Sequence, residues 1–161
     1  MTDFRALLSA LTAGGVEFII VGGAAATAHG SARLTADLDV VYRRTAENIS
    51  RLVRTLAPLA PYLRGAPPGL PFEWSERTIR NGLNFTLTTD LGALDLLGEI
   101  TGGGAYDALR PHSIRLSLYG VECLCLGLER LIHVKRAAGR PKDLEVIAEL
   151  EALNEERERP D

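Results

Sequence analysis

Three observations predict an α+β domain with a mixed central sheet flanked by helices. Helical and strand periodicities alternate through the first half of the chain, strands then follow in a block, and two helices close it. The length, 161 residues, suits one core, since a domain typically holds about 100–200 residues. Apolar residues make up 46% of the chain and charged ones 24%, with a mean hydropathy of +0.05. Those globular values exclude wholesale disorder.

The elements are justified in order. Phe4, Leu7, Leu8 and Leu11 fall on one helical face within Asp3 to Ala13, and Gly14-Gly15 ends the helix. Glu17 to Val21 is short, apolar and β-branched, a buried strand. Gly22-Gly23 turns the chain into a short alanine-rich helix, Ala24 to His29, closed by Gly30. Leu38 to Tyr42 reads as a second strand. Thr45 is the N-cap of a helix carrying Ile49, Leu52, Val53 and Leu56 at helical spacing. Ala57 to Phe72 holds Pro58, Pro61, Pro67, Pro68 and Pro71, so its second half should be irregular and act as a lid or move freely. Asn84 to Thr89 and Ala93 to Leu97 are strands around a turn at Asp90-Leu91-Gly92. Gly102-Gly103-Gly104 is a break. Ser113 to Leu118 and Val121 to Leu126 form a hairpin across Tyr119-Gly120. Helices follow at about Leu128 to Ala137 and Pro141 to Glu156, the second with Leu144, Ile147, Leu150 and Leu153 on one side and a fraying, charged end. Residues 1–161 are thus expected to form one domain: 1–101 carry the glycine turn and the acids discussed below, and 102–161 the hairpin and C-terminal helices.

Composition narrows the function classes. The net charge is −3 and the pI about 5.7, so a broad basic face for duplex nucleic acid is not expected, although a local basic groove is compatible. No apolar stretch approaches the roughly 20 residues that span a bilayer. The start, Met1-Thr2-Asp3-Phe4-Arg5, lacks the pattern of a secretory signal. Cys123 and Cys125 read as reduced core thiols, and two thiols alone cannot complete a structural zinc site. The expected location is cytoplasmic, with no membrane partner.

The chemistry-bearing region is Gly22 to Val41. Asp37 and Asp39 sit two apart on a strand, so both side chains share one face with Cα atoms roughly 6–7 Å apart. Two anions aimed the same way repel, which points to a cation between them. Oxygen-only ligands favour Mg²⁺ or Mn²⁺ over zinc. Asp95 stands in the apolar strand Ala93-Leu94-Asp95-Leu96-Leu97, where packing does not explain an acid. If that strand lies beside Leu38 to Tyr42, three carboxylates can hold two ions about 3.5–4 Å apart. The plainer alternative is that Asp37 caps a turn, Asp39 is an edge charge and Asp95 belongs to an ion pair. Gly22-Gly23 between strand and helix sets backbone N–H groups where a phosphate could sit. A dinucleotide-binding fold begins similarly, but Gly22-Gly23-Ala24-Ala25-Ala26-Thr27 lacks the second and third glycines of its G-x-G-x-x-G turn.

At Gly22-Gly23, His29-Gly30, Arg33-x-Thr35, Asp37-Leu38-Asp39 and Leu94-Asp95-Leu96-Leu97 the chain resembles the nucleotidyltransferase superfamily related to DNA polymerase β. Lys135 to Leu144 resembles the basic-acidic motif late in its small bacterial branch, which includes AbiEii-type toxins and domain-of-unknown-function relatives. The resemblance implies a minimal nucleotidyltransferase fold and transfer of a nucleoside monophosphate from an NTP to an acceptor hydroxyl. It implies that Asp37 and Asp39 hold two Mg²⁺ or Mn²⁺ ions, and that Asp95 completes the acceptor-side ion and helps deprotonate the hydroxyl. Lys135, Arg140 and Lys142 become candidate phosphate or acceptor contacts, and Arg33 and Thr35 candidate triphosphate contacts. The plainer alternatives are a solvated helix end for the first three and an Arg33–Asp37 pair for the fourth. Asp143 is expected to complement a helix dipole; His29, His112, His133, Trp74 and Tyr106 are expected to be structural. Glu99 lies near Asp95 in sequence. The branch implies the toxin of a toxin–antitoxin or phage-defence system; alternatives are a non-catalytic antitoxin or regulatory nucleotide-binding module, and an aminoglycoside-type resistance enzyme. The acceptor class stays open between tRNA, protein and small molecule. Larger transferases add a domain that grips the acceptor, so a large acceptor would call for a partner protein or a homodimer here.

Overall fold

A computed structural model describes residues 1–159. Helix α1 (Phe4–Ala13) starts where Asp3 accepts a hydrogen bond from the Ala6 N–H at 3.0 Å, and it buries Leu7, Leu8 and Leu11. Strand β1 (Phe18–Val21) is wholly buried and runs straight into α2 (Gly22–Ala28). Strand β2 (Asp37–Tyr42) and helix α3 (Ala46–Leu56) follow, with the Thr45 side chain capping α3 through the Asn48 N–H. The proline-rich segment opens with a 3₁₀ turn at Ala57–Leu59 and contributes a two-residue strand, β3 (Tyr62–Leu63). After an irregular stretch comes α4 (Glu76–Asn81), begun by Ser75, then β4 (Phe85–Thr89) and β5 (Gly92–Leu97). The glycine-rich break is tied into a small ribbon of β6 (Glu99–Ile100) and β7 (Gly104–Ala105), followed by one turn, α5 (Tyr106–Leu109). The hairpin is β8 (Ser113–Leu118) and β9 (Val121–Leu126), and the chain closes with α6 (Leu128–Ala138) and α7 (Pro141–Glu158).

The seven-stranded sheet has the order β3-β4-β5-β2-β1-β9-β8. β2 pairs with β5 and β1 with β9 in parallel, and the other pairings are antiparallel, so the sheet is mixed. Alternation decides what each face carries. Leu38 and Val40 of β2 and Leu94 and Leu96 of β5 are fully buried, and the acids between them point the other way. Helices α1 and α3 pack together, while α2, α6 and α7 form a second group. Cys123 and Cys125 are buried free thiols. Among the described residues no helix is long and apolar enough to cross a membrane.

Several local expectations need correction. β3, α4, β6 and β7 carry too few residues to show a periodicity. α7 continues through Glu158 rather than fraying at Glu155. Its buried positions include Ile147 and Leu150, but Leu144 is exposed, because Asp143 takes the inward place beside it.

Asn48 locks the far end of the β1–β2 pair. Its Oδ1 accepts from the Glu17 N–H at 2.7 Å, and its Nδ2 donates to the Glu17 and Arg43 carbonyls at 2.9 and 2.8 Å. The residue is fully buried. Asn48→Ala strips partners from three backbone groups and should lower unfolding free energy by about 2–4 kcal/mol in urea titrations.

Candidate active site

The register of two strand pairs builds the site. Asp39 lies opposite Asp95 across the parallel β2–β5 pair and opposite Val21 across the antiparallel β1–β2 pair. Asp37, Asp39 and Asp95 therefore share a sheet face, and each offers a carboxylate oxygen within 4.8 Å of the others. The Gly22 bend sits directly beside Asp39. A Cβ at Gly22 would stand 2.3 Å from Asp39 Oδ2, and Gly22 has φ +64°, a conformation that glycine adopts without strain. A Cβ at Gly23 would stand 2.7 Å from Thr35 Oγ1. In this structure the two glycines make room for protein side chains. Thr35 in turn donates to the Asp37 carbonyl at 3.1 Å, so the loop before β2 is fastened to the acid strand.

Electrostatics at Asp39 are unfavourable for a bare carboxylate. Burial, then the Asp95 charge and a shared hydrogen bond with Asp95, then Asp37, push its carboxyl up to about 7, while Lys142 acts in the opposite direction. Asp39 Oδ1 is buried with no hydrogen-bond partner. The other two acids share a cation that periodicity did not reveal. Arg64, just after β3, donates to Asp95 Oδ1 at 2.7 Å and to Asp37 Oδ2 at 3.4 Å. It was hidden in the proline-rich segment, where only the pairing of β3 with β4 brings it to the acids. The expected alternative pairing of Arg33 with Asp37 does not occur. Arg33 binds the Glu145 carbonyl at 3.2 Å and its carboxylate at 3.6 Å.

The basic residues come from the junction of α6 and α7. Asp143 is more than a dipole partner: it is buried, caps α7 jointly with Arg140, and accepts from Arg140 Nε at 2.6 Å and Nη2 at 3.2 Å. Lys135 Nζ lies 3.7 Å from Asp143 Oδ1. Burial alone would raise the Asp143 carboxyl, but the hydrogen bonds and charge of Arg140 and the charge of Lys135 hold it below the usual range. Burial pulls the Lys135 ammonium down, against the charges of Asp143 and Asp39.

Two cavities meet at Asp39 and share Gly22, Asp39, Lys135, Arg140 and Asp143, and Asp95 lines neither. The polar one, about 570 Å³, adds Gly23, Arg33, Thr35, Asp37 and Lys142 to its walls. The other, about 360 Å³, is walled by Val21, Leu97, Ile100, Leu131 and Val134, with Asn84 and Glu99. A larger cavity of about 690 Å³ lies elsewhere, by His29, His112 and His133, and none of the acids lines it. His29 is structural: its Nε2 meets the Leu126 carbonyl at 2.7 Å and its Nδ1 the Arg157 guanidinium at 2.9 Å. Trp74 is bonded to the Val53 carbonyl at 2.9 Å, and Tyr106 is buried.

No protein-family model matches the chain, and no curated protein matches it. Solved structures do share its fold. A Thermotoga maritima protein described as a nucleotidyltransferase superposes with a TM-score of 0.57 at 16% identity, over 94% of this chain and 90% of its own. The lincosamide antibiotic adenylyltransferase LnuA, bound to lincomycin, gives 0.62 at 13% identity, over 94% and 98% of the two chains. The antibiotic-resistance factor ANT(2'')-Ia gives 0.55 at 17% identity, over 92% and 85%. The chain therefore has the nucleotidyltransferase fold, an α+β mixed sheet flanked by helices.

Two outcomes test the site geometry. An unfolded aspartate titrates near about 3.9, so between that pH and about 7 folded Asp39 holds a proton that the unfolded chain has released. Its contribution to stability is complete below the lower value and is lost as pH rises through the upper one. In metal-free melting scans the wild type should lose stability relative to Asp39→Asn between about pH 4 and pH 7 and no further above it. Gly22→Ala should displace Asp39 and lower unfolding free energy by about 1–3 kcal/mol, measurable by urea unfolding.

Proposed function

We propose that this chain is a nucleotidyltransferase that moves a nucleoside monophosphate from an NTP to an acceptor hydroxyl with the help of Mg²⁺ or Mn²⁺. The observation that carries this is the carboxylate face: three acids in strand register, with a buried, unpartnered Asp39 oxygen beside a cavity rich in cationic side chains. The donor set is all oxygen, and the raised Asp39 carboxyl marks a missing positive charge, so the residues fit a hard divalent cation. Asp37 and Asp39 would hold the metal, with Asp95 as the third ligand on the acceptor side. Bound there, such ions neutralise phosphate charge and make a coordinated hydroxyl more acidic.

The chain's own groups do the rest. Lys135, Arg140, Lys142 and Arg33 line the polar cavity and orient the triphosphate, Arg140 by its planar fork and the lysines as point charges. Thr35 and the Gly22-Gly23 bend complete the same wall. Asp95, the register partner of Asp39, would take up the hydroxyl proton as the acceptor oxygen bonds to the α-phosphorus, the α–β phosphoanhydride bond breaks and pyrophosphate leaves. Positioning and charge neutralisation dominate phosphoryl transfer, so no covalent intermediate on the protein is needed.

The second cavity favours a small-molecule acceptor over a tRNA end or a protein. Its walls set apolar side chains beside the polar and charged ones of Asp39, Asn84, Glu99 and Lys135, and it is about 360 Å³, which suits a compact ligand with both an apolar face and polar groups. Two structural neighbours are named as an antibiotic adenylyltransferase and an antibiotic-resistance factor, and that acceptor class suits this cavity. A toxin role rests on the resemblance to the AbiEii-type branch alone.

Each α-labelled NTP, supplied with Mg²⁺ and a small-molecule extract, should yield a labelled low-molecular-weight product. Asp37→Ala and Asp39→Ala should each lower the rate at least about 100-fold while retaining a cooperative melt. NTP binding without transfer of label to any acceptor would favour a non-catalytic module.

A further inference from the structure

Arg64 is built into the carboxylate face rather than passing over it. Its backbone N–H donates to the Thr86 carbonyl at 3.0 Å. Its Nε and Nη2 donate to the Leu87 carbonyl at 3.2 and 2.6 Å, which fixes the plane of the guanidinium. From that anchored position Nη2 reaches Asp95 Oδ1 at 2.7 Å and Nη1 reaches Asp37 Oδ2 at 3.4 Å. The fork therefore bridges the two outer acids and leaves out Asp39, whose Oδ1 has no partner. The charge pattern is a cation on one side of the triad and an unmet demand for one on the other.

We propose that Arg64 stands in for a second cation in the nucleotide-free protein, so that the triad takes one divalent ion, on Asp37 and Asp39, while the guanidinium holds Asp95. The proposal rests on the metal-dependent function above and departs from the two-ion expectation for the free protein. Arg64 holds Asp95 at 2.7 Å but Asp37 only at 3.4 Å, and the Asp37 side chain is the more exposed of the two, 43% against 21%, so Asp37 is free to turn to an ion beside Asp39, whereas a second divalent ion at Asp95 would meet a fixed positive charge at contact distance. Arg64 is in this sense a positioning residue: it fixes the rotamer of Asp95 before any acceptor arrives.

Titration with Mn²⁺, read by the electron paramagnetic resonance signal of the free ion near pH 8, measures the stoichiometry without any reaction. The Asp37→Ala/Asp39→Ala double variant serves as the blank for surface binding. The expected result is one ion per chain for the wild type and two for Arg64→Gln. Arg64→Lys, which keeps the charge without the fork, should stay at one. Two ions on the wild type would overturn the proposal, whether or not Arg64→Gln folds. So would an unchanged stoichiometry in a folded Arg64→Gln. No binding above the blank by either protein would overturn the metal-dependent function itself, and this proposal with it.

Discussion

The parallel pairing of β2 with β5 is the constraint on which the rest of the site depends. It sets Asp39 opposite Asp95, and period-two alternation then brings Asp37 onto the same face. Slipping β2 by one residue would turn Asp37 and Asp39 into the core and expose Leu38 and Val40, so the buried residues fix where the charges go. The cost is concentrated repulsion on two central strands of the sheet. Around it the structure supplies Arg64 for the outer acids and leaves Asp39 short of positive charge.

The bend after β1 is shaped by the same demand. Gly22 yields to the Asp39 carboxylate and Gly23 to Thr35, so the turn that holds the cavity open also closes tightly on the acid strand. On the far side, Asp143 gathers Arg140 and Lys135 at the start of α7. A buried acid with two cationic partners is a rigid unit, and it holds those partners at the walls of both cavities.

Much of this was legible in the sequence, for physical reasons. Phe4, Leu7, Leu8 and Leu11 mark a helix because the core needs a continuous stripe, and Thr45 marks the start of another because a hydroxyl there satisfies an orphan N–H. An acid flanked by Leu94 and Leu96 announces itself because a purely structural strand would not bear it. Arg64 left no such mark. It lies among prolines, and its partners are 27 and 31 residues away, a distance closed only by a two-residue strand. Asp143 was visible as an acid near a helix start, but its burial and its hold on Lys135 depend on how α6 and α7 pack, which local periodicity does not encode. Leu144 shows the converse, an apolar residue at helical spacing that faces solvent.

The acidic and basic halves of the candidate site come from opposite ends of the chain. Gly22, Asp37, Asp39 and Asp95 are all translated before Lys135, Arg140 and Lys142, and β9, the neighbour of β1, lies between them. A nascent polypeptide emerging from the ribosome thus carries its anionic cluster, with Arg33 and Thr35, before the three basic residues of the α6–α7 junction. On the function proposed above, full grip on a triphosphate would wait for the final helices to dock, which would couple the onset of chemistry to the completion of folding.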